Sequence, residues 1–211
     1  MQSEVPTFEK PVGQPATRGR PREFCPQTAL TAALKVFWQR GYEAASMAEL
    51  TEAMGITKPS LYACFGNKEA LFRKALDLYQ REKLAYVGHA LNAPSAKGVA
   101  EAFLRSSLEM ACNKNDPRGC LQVISAVACT TYAESLRDEI IGLRKATEQA
   151  LLDRFNRAKA EGDFPAGVEP APMATYLFTL LQGMSLQAQS GANEDCLAQF
   201  VETALAIWPG K

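Results

Sequence analysis

ASMAELTEAMGITKPSLYACFGNKEALF, Ala45 to Phe72, is the stretch whose reading decides the fold. A run of helix-forming residues is broken at Gly55, restarted at Thr-Lys-Pro-Ser and restarted again at Gly-Asn-Lys-Glu. Ser46 with Glu49 three residues on is the Ser-x-x-Glu pattern of a capping box, so a short helix carrying Met47, Leu50, Ala53 and Met54 is predicted. Thr57 caps the next helix, with Pro59 in its first turn, where the missing N–H costs little. Asn67 begins a further one.

Two short helices joined by a glycine turn form a helix-turn-helix. The restart has a geometric use. A helix enters the DNA major groove only if it stands proud of the body that carries it, and a bent pair achieves this. The eight residues Thr57 to Cys64 span ~12 Å, suited to groove entry. The N-terminus of the following helix offers free N–H groups, and Lys68 adds a full charge, a seat for a backbone phosphate.

Working outward, Leu30, Ala33, Leu34, Phe37 and Trp38 fall on one face of a helix that starts at Pro26 and ends at Gly41. Residues 1–24 hold Pro6, Pro11, Pro15 and Pro21 with Gly13 and Gly19, and read as a flexible arm. The helix beginning at Asn67 runs through Leu71, Phe72, Ala75, Leu76 and Tyr79 to about Val87, and NAPSAKG is a linker. Further helices are expected near residues 97–113, 117–131, 134–161, 171–190 and 193–208. Met173, Tyr176, Leu177, Leu180, Leu181 and Met184 form one stripe, and Leu197, Phe200, Val201, Ala204, Leu205 and Trp208 another. Nothing alternates with period two, so no sheet is expected. The fold class is all-α: an arm (1–24), a three-helix helix-turn-helix domain (25–72) and a larger helical regulatory and dimerisation domain (73–211).

Composition agrees. The 211 residues are 47% hydrophobic, enough for a real core, and carry no net charge. The charge is unevenly spread: Lys10 to Lys74 holds ten basic residues against five acidic, Ala75 to Lys211 holds 13 against 16. A positive module is joined to a mildly acidic one. The six cysteines form no CxxC pair and His89 is the single histidine, so no zinc site, metal or cofactor is expected. The start MQSEVPTFEK lacks the apolar core of a secretory signal, and no apolar run reaches membrane-spanning length. A reducing cytoplasm with free thiols, and no membrane partner, is the expected setting.

The run AALKVFWQRGYEAASMAELTEAMGITKPSLYACFGNKEALF carries a resemblance. Its Phe-x-x-x-Gly-Tyr ending of the first helix, Gly-Ile-Thr turn, Leu61-Tyr62, Phe65 and Lys68-Glu69-Ala70-Leu71-Phe72 stand in the spacing of one family. Residues 26–72 resemble the DNA-binding domain of the TetR/AcrR family of bacterial transcriptional regulators. The rest of the chain resembles it in being helical and in its final striped pair. The resemblance implies a homodimer that binds double-stranded operator DNA and represses transcription until a small-molecule effector binds the larger domain. Such a dimer places its recognition helices about one DNA turn apart. Effector binding would alter that spacing through the helix shared by the two domains.

Carried over residue by residue, Lys58 and Pro59 match base-reading positions, and Ala63 faces the groove one turn later, where it can touch a thymine methyl. Thr57, Ser60, Tyr62 and Lys68 match sugar or phosphate positions, with Ser46 and Tyr42 as further backbone contacts. Ala48 stands where some members have a base-reading arginine. In the arm, Arg18, Arg20 and Arg22 alternate around Gly19 and Pro21; they either lie in an A·T-rich minor groove or form a solvated basic tail. Phe103, Met110, Tyr132, Phe155, Tyr176 and Phe178 are candidates to line an effector cavity or to fill core. Tyr176, Leu180, Met184, Phe200 and Leu205 are the candidate dimer contact.

Two alternatives stand beside this. Cys120 follows Asp-Pro-Arg-Gly at a predicted helix start beside Arg118, the surroundings of an activated thiol, and Cys64 lies in or beside the recognition helix. A thiol-switched regulator sensing oxidants or electrophiles is therefore one rival. A helical enzyme or non-DNA-binding adaptor is the other; no Ser/His/Asp or Cys/His set and no glycine-rich phosphate loop supports an enzyme.

Overall fold

The periodic apolar run after Pro26 folds as α1 (Pro26–Ala44), with proline at its first turn and Ala29, Leu30, Ala33, Leu34, Phe37 and Trp38 buried. It is interrupted at Gly41, whose φ is 75°. The computed structural model describes residues 24–128 and 134–209, so the basic arm with Arg18, Arg20 and Arg22, and Tyr132, lie outside the described residues.

Three helix starts follow as expected: α2 (Met47–Met54), α3 (Lys58–Phe65) and α4 (Lys68–Glu82). Each is capped by the side chain expected for it. Glu49 N–H donates to Ser46 Oγ at 3.1 Å while Ser46 N–H donates to Glu49 Oε2 at 3.0 Å. Ser60 N–H donates to Thr57 Oγ1 at 3.3 Å, and Ala70 N–H to Asn67 Oδ1 at 2.8 Å. Gly55 ends α2 with φ 65° and ψ 29°, a left-handed conformation that glycine adopts without a Cβ penalty.

Two boundaries differ from expectation. The helix from Asn67 does not run to Val87. The N–H groups of Lys83 and Leu84 both close on the Tyr79 carbonyl, at 2.8 and 3.2 Å, and α5 (Ala85–Leu91) is separate. Lys83 at the break is held by Asp116 at 2.6 Å, a long-range ion pair that periodicity does not reveal. Likewise the helix expected from residue 117 begins only at Leu121, because residues 113–120 form a loop tied to α1 and α4.

The remaining helices are α6 (Ala96–Cys112), α7 (Leu121–Ala128), α8 (Glu134–Ala160), α9 (Pro170–Gln189) and α10 (Glu194–Ala206). No strand occurs among the described residues. The buried side chains form two clusters. One joins α1–α4 to Leu121, Ile124, Leu136 and Ile140 from α7 and α8. The other is built by α6, α8, α9 and α10 around Phe103, Leu151, Phe155, Leu177 and Val201. The first three helices and α4 therefore do not close their core alone. At ~1.5–3 kcal/mol per fully buried large apolar side chain, those four residues are a substantial tether between the DNA-facing helices and the rest of the chain.

Candidate nucleic-acid interface and its link to a cavity

The α3 helix divides cleanly. Leu61 is fully buried and Phe65 is nearly so, which anchors α3 in the core cluster that α1, α2 and α4 also build. Thr57, Lys58, Pro59, Tyr62, Ala63 and Cys64 are exposed together, and Tyr62 is 47% exposed, one of the few large apolar side chains left in solvent. A buried pair of anchors with a protruding opposite face is the geometry a groove-reading helix needs. Ser60 is half-buried and its hydroxyl pairs with that of Thr57 at 2.9 Å.

Tyr42, Ser46 and Lys68 flank this face. Lys68 Nζ lies 4.6 Å from the centre of the Tyr42 ring and donates to the Glu43 carbonyl at 3.2 Å. Partial burial lowers the Lys68 pKa, with Glu43 opposing. Lys68 thus fastens the end of α1 to the start of α4 while keeping an ammonium near the surface. Tyr42 packs edge-on against Phe72 at 5.2 Å. Ser46 is exposed, its hydroxyl engaged by the capping box, and Ala48 is exposed on α2.

Between α5 and α6–α9 lies a cavity of about 60 Å³. Phe103, Met110 and Phe178 line it, as do Tyr86, Cys120, Gln122, Arg144 and Ser185. Phe155 does not: it packs against Phe164 and Trp208 at 5.3 and 6.0 Å. Tyr176 is partly buried against that same second cluster, outside the cavity lining. Tyr86 is pushed up to about pKa 12 by burial, its hydroxyl 3.3 Å from that of Ser107, so it is a neutral hydrogen-bonding group here.

The loop 113–120 connects this cavity to the DNA-facing helices. Trp38 Nε1 of α1 donates to the Gly119 carbonyl at 3.1 Å, and Lys35 Nζ to the Asn115 carbonyl at 2.8 Å. Tyr79 of α4 donates its hydroxyl to Cys120 Sγ at 3.3 Å. Arg118, expected beside Cys120, instead donates to the Ala192 carbonyl at 2.9 Å, at the turn between α9 and α10. Cys64 is exposed and Cys120 half-buried.

Comparison with known proteins agrees with this arrangement. The model described as "Bacterial regulatory proteins, tetR family" matches residues 29–75, and "Tetracyclin repressor-like, C-terminal domain" matches residues 100–204. The HTH-type transcriptional repressor ComR of Escherichia coli K12 is 36% identical over 199 residues, 92% of this chain and 93% of that protein. The repressor BdcR of the same organism is 28% identical, covering 82% of this chain and 83% of its own. A cysteine mutant of the TetR family regulator CifR, solved with 26-bp double-strand operator DNA, superposes with a TM-score of 0.84 at 42% identity, over 90% of this chain and all of that one.

The chain belongs to the tetR family of bacterial regulatory proteins.

As a TetR-family member it is a DNA-binding transcriptional regulator and not an enzyme, which sets aside the enzyme and adaptor alternatives. No helix among the described residues is long and apolar enough to cross a membrane. Sequence reasoning missed Arg144, Gln122 and Ser185. A signal existed for two of them: Gln122 is, with Ser125, one of two polar residues in an otherwise apolar short helix, and Ser185 interrupts the apolar stripe of α9. Arg144 sits among the many charges of α8, where nothing in the periodicity distinguishes it.

Proposed function

We propose that this regulator is a cytoplasmic homodimeric repressor, released from its operator when a small molecule occupies the cavity beside Cys120. The observation that carries the release step is the loop 113–120: one end borders the cavity, and its carbonyls hold Trp38 and Lys35 of α1. A ligand that moves Cys120 or Gly119 pulls on both α1 and α4, and so on the spacing of the two α3 helices.

In this reading the working regions are the arm (1–24), the DNA-binding part (25–72) and the regulatory and dimerisation part (73–211). Lys58, Pro59 and Ala63 read bases, while Thr57, Ser60, Tyr62, Ser46, Tyr42 and Lys68 meet the backbone. Arg18, Arg20 and Arg22 reach an A·T-rich minor groove. The dimer forms on α9 and α10, where Tyr176, Leu180 and Phe200 are half-buried and Leu186 is 42% exposed. Met184 and Leu205 are buried within their own chain and support that surface from beneath.

The test is binding to the DNA upstream of the protein's own gene, at several salt concentrations. A saturable complex containing two chains, or a pair of such dimers, that weakens steeply with salt is expected. Salt-insensitive or absent binding would contradict it. A second reading, a thiol switch at Cys120, is favoured by the position of its Sγ on the cavity wall within reach of Tyr79. Mass spectrometry after mild peroxide, beside the same binding assay, separates the two: release without covalent change leaves only the reversible ligand.

A further inference from the structure

The cavity lining carries polar groups on α8 and α9. Arg144 of α8 reaches across to α9, where its Nη2 donates to Gln182 Oε1. Its Nε is buried and has no hydrogen-bond partner. Among the described residues no carboxylate pairs with this guanidinium. One turn further along α9, Ser185 is 7% exposed and its Oγ is likewise without a partner. Gln122 of α7, 5% exposed, also lines the cavity. Phe103, Val123, Phe178 and Leu181 supply apolar lining, and the hydroxyls of Tyr86 and Ser107, also on the lining, pair with each other at 3.3 Å.

A buried donor without an acceptor is costly, and although Arg144 as a whole is half-buried, its Nε is withdrawn from solvent. In native proteins such groups are met by an ordered water, an ion or a ligand, and in an effector cavity the ligand is the candidate partner. A guanidinium that gives one Nη2 hydrogen to Gln182 keeps its Nε–H and further N–H donors, which suit a planar carboxylate, and a serine hydroxyl on the same cavity lining can donate to a carboxylate oxygen. The apolar part of the lining favours a ligand whose remainder is hydrocarbon over inorganic phosphate or sulfate. About 60 Å³ accommodates roughly four to six water-sized groups at ~10–15 Å³ each.

We infer that the effector is a short aliphatic monocarboxylate, its carboxylate on Arg144 and Ser185 and its hydrocarbon tail against Phe103 and Phe178. The inference rests on the reading of this cavity as the effector site. It carries an electrostatic logic: the incoming anion neutralises a charge that has no counter-charge among the described residues, so binding stabilises the ligand-bound packing of α7, α8 and α9 around it.

Butyrate and butyramide, equal in non-hydrogen atoms and differing in charge, are the probes, with inorganic phosphate as a third. Calorimetry and thermal shift on the full chain should show butyrate binding at least ~10-fold more tightly than butyramide, the margin of a charge-assisted pair, and phosphate not at all. Arg144→Gln should abolish the preference for butyrate, and Ser185→Ala should weaken butyrate several-fold without weakening butyramide equally. If Arg144→Gln fails to fold, the comparison of the two probes on the natural chain and the Ser185→Ala variant still decide. Equal binding of butyrate and butyramide, binding of neither, or binding unaffected by Ser185→Ala and Arg144→Gln would overturn the inference. Operator release is read separately. Butyrate that binds in this way but leaves operator occupancy unchanged would uphold the carboxylate site and sink the release reading. Release by butyramide as readily as by butyrate would do the reverse.

Discussion

Replacing Gly119 with alanine adds one methyl group at the joint between the regulatory helices and α1. Gly119 has φ +83°, and a Cβ there would stand 3.0 Å from the Ser185 carbonyl oxygen and 3.2 Å from Gln189 Cβ. The carbonyl belongs to the backbone of α9 and cannot rotate away. Two costs add: ~1–2 kcal/mol for a non-glycine residue in the left-handed region, and ~1–3 kcal/mol for overpacking against a rigid wall. Gly55→Ala is the internal control, because Gly55 has φ +65° and nothing within 4 Å of the added Cβ. It should cost only the first term, ~1–2 kcal/mol. At ~2–4 °C per kcal/mol for a chain of this size, Gly119→Ala should melt several degrees below Gly55→Ala. Urea and thermal unfolding followed by circular dichroism, at one protein concentration so that any dimer contribution is held constant, measure the difference. Equal losses for the two variants would refute the close approach of loop 113–120 to α9, and with it the mechanical link from the cavity to Trp38.

Leu180→Glu should place an unpaired charge in the α9 and α10 contact, at several kcal/mol, and sedimentation should show monomers; a folded variant that stays dimeric would move the interface elsewhere. Deleting residues 1–22 should lower operator affinity, most on A·T-rich flanks, and flatten the salt slope by up to ~0.9 per lost phosphate contact; unchanged affinity and slope would leave the arm a solvated tail. The Ser46 N–H, then its hydroxyl, hold the Glu49 carboxyl below the usual range. A carboxyl with a depressed folded pKa contributes stability that is present above its unfolded value, ~4.3, and is lost as pH falls through the folded value. The melting temperatures of the natural chain and Glu49→Gln should therefore differ at pH 7 and converge on acidification; a constant gap would show that the capping box is not formed.

The DNA-facing half was legible because its signals are local. Ser46 with Glu49, Thr57 with Pro59, and Asn67 each declare a helix start within four residues, and the structure forms all three caps. What was not legible depends on partners far along the chain. The break after Glu82 follows from Lys83 meeting Asp116, and the late start of α7 from Trp38 and Lys35 holding the preceding loop. Phe103 and Phe155 are both fully buried aromatics, yet one borders the cavity and the other packs on Trp208. Periodicity places both inside and says nothing of which neighbour each meets. The cavity's polar lining was hidden for the same reason: Arg144 acquires its meaning only from Gln182 and Ser185 on another helix.

The most direct measurement of the central claim, that the exposed face of α3 reads bases while the start of α4 holds the backbone, is binding of Lys58→Ala and Lys68→Ala to a panel of single-base operator variants at several salt concentrations. Lys58 opens α3 and is exposed, free to reach a guanine edge; Lys68 is fastened to Tyr42 and Glu43 beside the helix start. Lys58→Ala should relax preference at one base pair per half-site, costing ~1–3 kcal/mol on the best site and less on the others. Lys68→Ala should weaken every sequence alike and reduce the salt slope by about one per half-site. Equal, sequence-independent losses for both variants would contradict the assignment of Lys58 as a base reader.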